Sequence, residues 1–329
     1  MNLLVETVVP AYSVVVPVYN SAASVRELVT RTEQVFRDTL KQSYEILLVD
    51  DGSTNPETWP TLEALATAAP GRTAIQLMRN FGNQGALLAG LEAARGQYII
   101  TMDDDLQHRP EDIPLLLEQR AHDIVIARFP IRYHNAWQRS VSRIKNWLDY
   151  QLVGKPRHIT TGPFKVVKSE IVHVALKVRT PYPFLSALLY FVTRDVVNVD
   201  LPHAPRKYGR SGFTPAKMLS AISNLVINNS SFLLRVMAVV GMAIAVASSL
   251  IGIVVLIEKM TGQIKVPGWT SLMLLVALFG GLTQFTLGVT GEYLIRIIAT
   301  TESRPAFIVR RIVQYGQHAE PVTPPGSKA

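Results

Sequence analysis

Asp103-Asp104-Asp105 follows the apolar run Tyr98-Ile99-Ile100 and Gln107 stands just beyond it. Adjacent carboxylates repel, and at an effective dielectric near 20 each close pair costs on the order of a few kcal/mol. A solvated turn would relieve that cost. A bound cation would relieve it with a chemical purpose. In extended chain Asp103 and Asp105 face the same way, two residues apart, while Asp104 faces elsewhere. Two carboxylates on one side, with Gln107 nearby, suit Mg2+ or Mn2+, hard cations that take oxygen ligands and share them with substrate phosphates. The competing role is an acidic helix start before Pro110, favoured by the helix dipole. That role fits Glu111 and Asp112 better than Asp103 and Asp105.

The elements around these residues alternate. Tyr12–Val18, Glu45–Val49, Ala74–Met78, Tyr98–Met102 and Asp123–Ala127 read as buried strands. Between them Ser21–Leu40, Glu57–Ala68, Gln84–Arg95 and Pro110–Arg120 have helical spacing, with Pro56 and Pro110 at helix starts and Gly96 at a helix end. This predicts an α/β domain with a mostly parallel, Rossmann-like sheet, whose ligands bind beyond the carboxyl ends of the strands. The residues there are Tyr19-Asn20, Asp50-Asp51-Gly52-Ser53, Arg79-Asn80, Asp103-Asp104-Asp105 and Arg128. Carboxylates interleaved with arginines at one edge fit an anion held through a metal. His108, His122, His134, His158, His173 and His203 have no metal-ligand spacing and read as surface or packing residues.

The C-terminal half differs. Val236–Ile257 and Ser271–Gly291 are apolar runs of about 20 residues, enough to cross a bilayer core of about 30 Å. Gly280, Gly281, Gly288 and Gly291 would allow close helix approach. Lysines and arginines crowd the outer flanks, from Arg206, Lys207, Arg210, Lys217 and Arg235 to Arg296, Arg304, Arg310 and Arg311, whereas the short loop between carries Lys259 and Lys265. The positive-inside rule then puts both termini and the N-terminal domain in the cytoplasm. The expected division is a catalytic domain over 1–205, an amphipathic juxtamembrane segment over 206–232, two membrane helices within 233–300 (about 234–257 and 270–295) and a cytoplasmic tail over 301–329. The net charge of +8 fits an anionic membrane or a phosphate-bearing substrate; beside a membrane hairpin, nucleic acid is not expected. Cysteine is absent, which excludes disulfides and cysteine-ligated zinc.

VVVPVYN, LLVDDGSTN, RNFGNQGALLAGLEAARGQYIITMDDDLQ and the post-hairpin GEYLIRIIATTESRP together resemble the polyisoprenyl-phosphate glycosyltransferases of glycosyltransferase family 2. That group includes dolichyl-phosphate mannose synthase and the undecaprenyl-phosphate glucosyl- and aminoarabinosyltransferases. The resemblance runs from Ser13 to about Arg311. It implies a GT-A fold, a nucleotide-sugar donor (UDP-linked by likeness), a divalent metal, Mg2+ or Mn2+, and a polyisoprenyl phosphate acceptor, with the enzyme multi-pass in the inner membrane. Carried over by position, it gives Pro17, Tyr19, Asp50 and Asp51 to the nucleoside pocket and sets Arg79 and Asn80 beside the donor. Asp103, Asp105 and Gln107 match the metal and diphosphate motif, with Asp104 among the donor residues. Asp105, Arg128 and Arg206 are the expected catalytic residues. Arg206, Lys207, Arg210, Ser211 and Lys217 are expected to meet the lipid phosphate.

Two positions depart from the family's pattern. Thr161-Gly162-Pro163-Phe164-Lys165 has proline where many relatives carry an aspartate, a candidate base, and Ser211-Gly212-Phe213 lacks the lysine of a Ser-Lys-Tyr triplet. A phosphate monoester, with its second pKa near 6, is already largely dianionic at neutral pH and needs positioning more than deprotonation. Phe213–Ser231 and Tyr133–Gln151 read as amphipathic segments suited to a membrane interface. Two other readings compete: a catalytically silent nucleotide-sugar-binding membrane scaffold, which Pro163 and Gly212 support, and a processive polysaccharide synthase, which two membrane helices are too few to serve. Small two-helix anchors often gain from association, so a homo-oligomer stands among the expected partners.

Overall fold

The computed structural model of the chain describes residues 9–129, 156, 158–178, 180, 183–202, 261, 268–301, 305–316 and 320–321. Contacts divide it into two compact units, Met1–Phe213 with Pro305–Ala329, and Thr214–Arg304.

The first unit is built on a nine-stranded sheet of order β7-β5-β6-β4-β1-β2-β3-β8-β9. Its strands are β1 (Tyr12–Val18), β2 (Tyr44–Asp50), β3 (Arg72–Leu77), β4 (Tyr98–Thr101), β5 (Ile124–Arg128), β6 (Lys165–Lys168), β7 (Val196–Asp200), β8 (Val309–Gln314) and β9 (Glu320–Pro321). The central four, β4-β1-β2-β3, run parallel. Every residue of YSVVVPV in β1 is buried, as a strand covered on both faces requires. The helices are α1 (Ala22–Gln34), α2 (Thr58–Ala68), α3 (Asn83–Ala93), α4 (Ile113–Leu117), α5 (Ser169–Leu176) and α6 (Leu185–Val192). Gly90 lets α3 lie close on the sheet: a methyl group there would meet Val15 Cγ1 at 2.3 Å.

The sheet differs from the sequence expectation on its flanks. Strand β5 does not neighbour β4; β6 lies between them, antiparallel to both. Two reversals restore direction, so β5 still points its carboxyl end to the same edge. The predicted helix Pro110–Arg120 begins as a 3-10 turn, Pro110–Asp112, and is α-helical only over Ile113–Leu117. Pro114 has no amide hydrogen to donate, so it belongs in a first helical turn and not in the interior. Within residues 301–329, expected as a tail, Val309–Gln314 is a sheet strand paired antiparallel with β3. Its β-branched residues Val309, Ile312 and Val313 are the local signal for that strand.

At the amino edge of the sheet, opposite the site, the buried Glu45 carboxylate is fully engaged. Oε1 accepts from Ser13 Oγ at 2.6 Å and from the Arg95 amide at 2.7 Å, and Oε2 accepts from the Arg95 guanidinium at 2.8 and 3.0 Å. One end of the sheet is thus locked internally, and the other presents loops.

The second unit contains α7 (Trp269–Thr301). Among the described residues no helix is long and apolar enough to cross a membrane. The first expected span, Val236–Ile257, lies outside the described residues, as do many side chains of α7, which overlaps the second. Tyr133–Gln151 and Phe213–Ser231 also lie outside them.

Candidate active site

Four loops from the parallel strands meet at the carboxyl edge, and polar contacts fix them to one another. Asn20, held at φ 58° after β1, clamps the loop after β2: its Oδ1 accepts from the amides of Thr54 at 2.9 Å and Asn55 at 2.8 Å. Asp50 is fully buried and turned inward, accepting from the Ser53 amide at 2.9 Å and from Gln76 Nε2 at 3.2 Å. Asp51 reaches the loop after β3, where the Phe81 amide donates to it at 2.7 Å. Burial pushes the Asp51 carboxyl up from its ordinary value, and the amides of Phe81 and Gly82 oppose that shift. Gly52, at φ +63°, allows the two loops to touch.

Arg79 and Asn80 are exposed at this edge, and the Arg79 guanidinium lies 4.2 Å over the Phe81 ring. Tyr19 is exposed beside them, whereas Pro17 is buried and lines a pocket.

The acidic motif differs in detail from an extended strand. Strand β4 ends at Thr101, residues 104 and 105 form a turn, and Leu106 takes a left-handed φ of 61°. Period-two alternation therefore does not orient Asp103 and Asp105. Asp104 turns back to accept from the Tyr19 amide at 3.2 Å. Burial pushes its carboxyl up to about 6, with Ser21 and the Tyr19 amide opposing and Asp103 and Asp105 adding to the rise. Asp105 accepts from the Gln107 amide at 3.1 Å. His108 packs in the floor of this loop, its ring 5.6 Å from that of Phe129 and 5.4 Å from that of Phe164, and its Nδ1 accepts from the Asp103 amide at 3.1 Å. It is a packing histidine.

All three carboxylates of the motif are half-buried; Asp104 is tied to the Tyr19 amide just beyond β1, and Asp105 to the Gln107 amide. Among the described residues no group of three His, Cys, Asp or Glu side chains could enclose a metal. The donor set fits a cation held by one or two carboxylates and completed by substrate phosphates, the usual arrangement for Mg2+.

Beneath Asp103 lies a pocket of about 210 Å³, bounded by Pro17 of β1, Gln84 and Leu87 of α3, Pro163, and Phe184 and Leu185 at the start of α6. Thr101 Oγ1 donates to the Pro163 carbonyl at 2.6 Å, and Gln84 Oε1 accepts from the Leu185 amide at 2.9 Å. Lys165 and Ser186 also line it, and the buried ammonium donates to Ser186 Oγ at 3.0 Å. Burial pulls Lys165 down to about 8, a shift that the Asp103 charge opposes. Sequence reasoning singled out Pro163 here and missed Lys165; its signal was a lysine opening the β-branched run Lys165-Val166-Val167.

Arg128 is at the carboxyl end of β5. Its guanidinium engages both carboxylate oxygens of Asp200 on β7, with Nη2 to Oδ2 at 2.7 Å. Arg206, Lys207, Arg210, Ser211 and Lys217 lie outside the described residues.

The Glycosyl transferase family 2 pattern matches residues 13–174. The undecaprenyl-phosphate 4-deoxy-4-formamido-L-arabinose transferase of Pseudomonas paraeruginosa is 33% identical over 94% of this chain and 92% of its own length. The chain belongs to glycosyl transferase family 2. This glycosyltransferase is also 30% identical to the protein of the same description from Photorhabdus laumondii, over 92% of the chain and 94% of the relative. Among solved structures, glucosyl-3-phosphoglycerate synthase from Mycobacterium tuberculosis with uridine diphosphate matches at a TM-score of 0.48 and 17% identity, over 66% of this chain and 78% of that one.

Proposed function

We propose that this glycosyltransferase moves a sugar from a UDP-sugar to undecaprenyl phosphate or a similar polyisoprenyl phosphate, at the cytoplasmic face of the inner membrane. The observation that carries the reading is the acidic turn Asp103-Asp104-Asp105 at the mouth of a ring-sized pocket that Asp103 lines. Full-length relatives described as undecaprenyl-phosphate sugar transferases support the acceptor.

Asp103 and Asp105 would hold Mg2+ or Mn2+, which supplies charge neutralisation to the departing diphosphate. Arg79, exposed beside the donor edge, adds positive charge on the same leaving group. The loops clamped by Asn20 and Asp51 hold the nucleoside, and the pocket floored by Lys165 takes the transferred ring. A pocket of about 210 Å³ is smaller than the roughly 300–1,000 Å³ of a drug-sized site, so it suits one ring and not a whole nucleotide-sugar.

The lipid phosphate oxygen attacks the anomeric carbon from the face opposite the diphosphate. A new carbon–oxygen bond forms as the old one breaks, and its electron pair leaves with the nucleoside diphosphate. An α-linked donor gives a β-linked sugar phospholipid. Proline at 163 removes a carboxylate from this pocket, and the reaction tolerates that because the dianionic acceptor needs no base. Arg206, Lys207, Arg210, Ser211 and Lys217 would receive the acceptor phosphate next to the bilayer.

The membrane hairpin belongs to the same proposal. Its support is the apolar runs Val236–Ile257 and Ser271–Gly291 in the sequence and the exposed aliphatic side chains Leu272, Leu275, Val276, Leu287, Leu294 and Ile297 on α7.

Purified full-length protein in detergent, given undecaprenyl phosphate, Mn2+ or Mg2+ and a panel of nucleotide-sugars, tests the reaction. The expected outcome is metal-dependent glycolipid formation that falls at least 100-fold in Asp105→Asn, the size of a lost electrostatic contribution to catalysis. Glycolipid formation unaffected by chelation or by Asp105→Asn would sink the metal assignment. Release of nucleoside diphosphate with no lipid product would sink the acceptor.

A further inference from the structure

Lys165 is the buried group that the scheme above leaves with an unmet demand. It is fully enclosed at the head of β6, it lines the pocket, and among the described residues its ammonium makes one hydrogen bond, to Ser186 Oγ at 3.0 Å, and no ion pair. An ammonium has three donors, so two remain. Much of the surrounding wall is apolar: Pro17, Leu87, Met102, Phe184 and Leu185. A buried cation without a counter-charge is strongly unfavourable, and natural proteins pair such groups. Asp103 is the acid whose field reaches it, and in the proposed reaction Asp103 is committed to the metal.

Structure alone gives no reason to retain a lysine here. Met or Leu would fill the same volume and pack against the same wall at no desolvation cost. The fold instead places the buried ammonium in the wall of a cavity of ring size.

We propose that Lys165, steadied by Ser186, is the specificity-determining residue for the transferred sugar, selecting donors whose ring carries a carboxylate or an acyl-amide carbonyl over donors whose ring offers hydroxyls alone. This rests on the glycosyl-transfer reading and names the substrate class of that site. A hydroxyl answers the buried ammonium with a weaker hydrogen bond than a carboxylate or an amide oxygen does, so a ring with hydroxyls alone binds less tightly.

The test uses full-length protein in detergent with Mn2+. Affinities for UDP, UDP-xylose, UDP-glucose, UDP-N-acetylglucosamine and UDP-glucuronic acid are measured for wild type, Lys165→Met and Lys165→Gln, and glycolipid formation is followed separately. Wild type is expected to bind the acyl-amide or carboxylate donor at least tenfold more tightly than UDP-xylose. Lys165→Met should abolish that preference and leave UDP affinity within twofold. Lys165→Gln keeps a donor without the charge, so it should retain the acyl-amide preference and lose a carboxylate one. A uniform loss across all donors and UDP would make Lys165 a diphosphate contact and overturn the proposal, as would a preference that survives Lys165→Met or a wild type that favours UDP-xylose. Donor selectivity that behaves as expected with no glycolipid formed would leave Lys165 in its role and sink the lipid acceptor instead. Lys165→Met should melt no lower than wild type, which separates lost recognition from lost folding.

Discussion

At Gly52 there is no room for a methyl group. A Cβ built there would lie 2.5 Å from the Arg79 carbonyl carbon and 2.6 Å from the Asn80 amide nitrogen, and φ is +63°. Both neighbours are backbone, so neither can swing aside. Left-handed geometry alone costs an alanine roughly 1–2 kcal/mol. With the clash added, Gly52→Ala should destabilise the first unit by about 2–4 kcal/mol. It should also part the loops that Asp51 joins, and thermal melting alongside UDP titration would register both losses. The residue scale is also where the sequence was most and least informative. The acidic run at 103–105 announced itself because adjacent carboxylates are costly wherever they are not used. Lys165 did not, because its meaning depends on Ser186, 21 residues on, coming within 3.0 Å. Asp50 and Asp51 were legible as site residues by position, but their inward bonds to Ser53, Gln76 and Phe81 make them builders of the loops.

Among the elements, β8 carries the most consequence. It closes the edge of β3, and Arg311 on it donates to Gln76 Oε1 at 2.9 Å and lies 4.5 Å over the Trp59 ring. Gln76 in turn donates to Asp50 at 3.2 Å, and Asp50 orders the Ser53 turn at 2.9 Å. A chain of contacts therefore runs from the C-terminal strand to the loop after β2, which is proposed to hold the nucleoside. Arg311 touches no reacting group, so it is a positioning residue. Arg311→Ala removes one hydrogen bond and one cation–π contact, together about 1–2 kcal/mol. The expected result is a raised KM for the nucleotide-sugar with kcat little changed; an unchanged KM with a lowered kcat would contradict it. Strands β1 to β4 were legible because they are apolar runs bounded by turn residues. Strands β6 and β8 were not, because each is short or charged and is made a strand by a distant partner, Tyr98–Thr101 for one and Thr73–Leu77 for the other. Periodicity reports which face is buried, and it is silent on which neighbour does the burying.

At the scale of the molecule, a sheet whose amino edge is locked by Glu45 and whose carboxyl edge is left to loops is joined in the chain to a segment of different character. The first unit buries most of its large apolar residues, with Phe191 and Met78 among those left exposed, whereas α7 exposes Leu272, Val276 and Leu287 along one helix. With a net charge of +8 and basic residues flanking both apolar runs, the full chain should stay with the membrane fraction through high-salt and alkaline washes and leave it only in detergent. Release by salt alone would mark a surface-bound protein and overturn the hairpin.

The first unit is closed by residues made after the second. Strand β3 ends at Leu77 and its partner β8 begins at Val309, with all of Thr214–Arg304 between them in the chain. On the ribosome, synthesis runs from the amino end, so the edge of β3 stays open until the entire intervening unit has emerged. The Arg311 support of the nucleoside loop is among the last pieces delivered. A nascent chain stalled before residue 305 has all four loops of the carboxyl edge and lacks the strand that steadies one of them. The order of translation thus delays the completed donor site until the segment proposed to anchor it has been made.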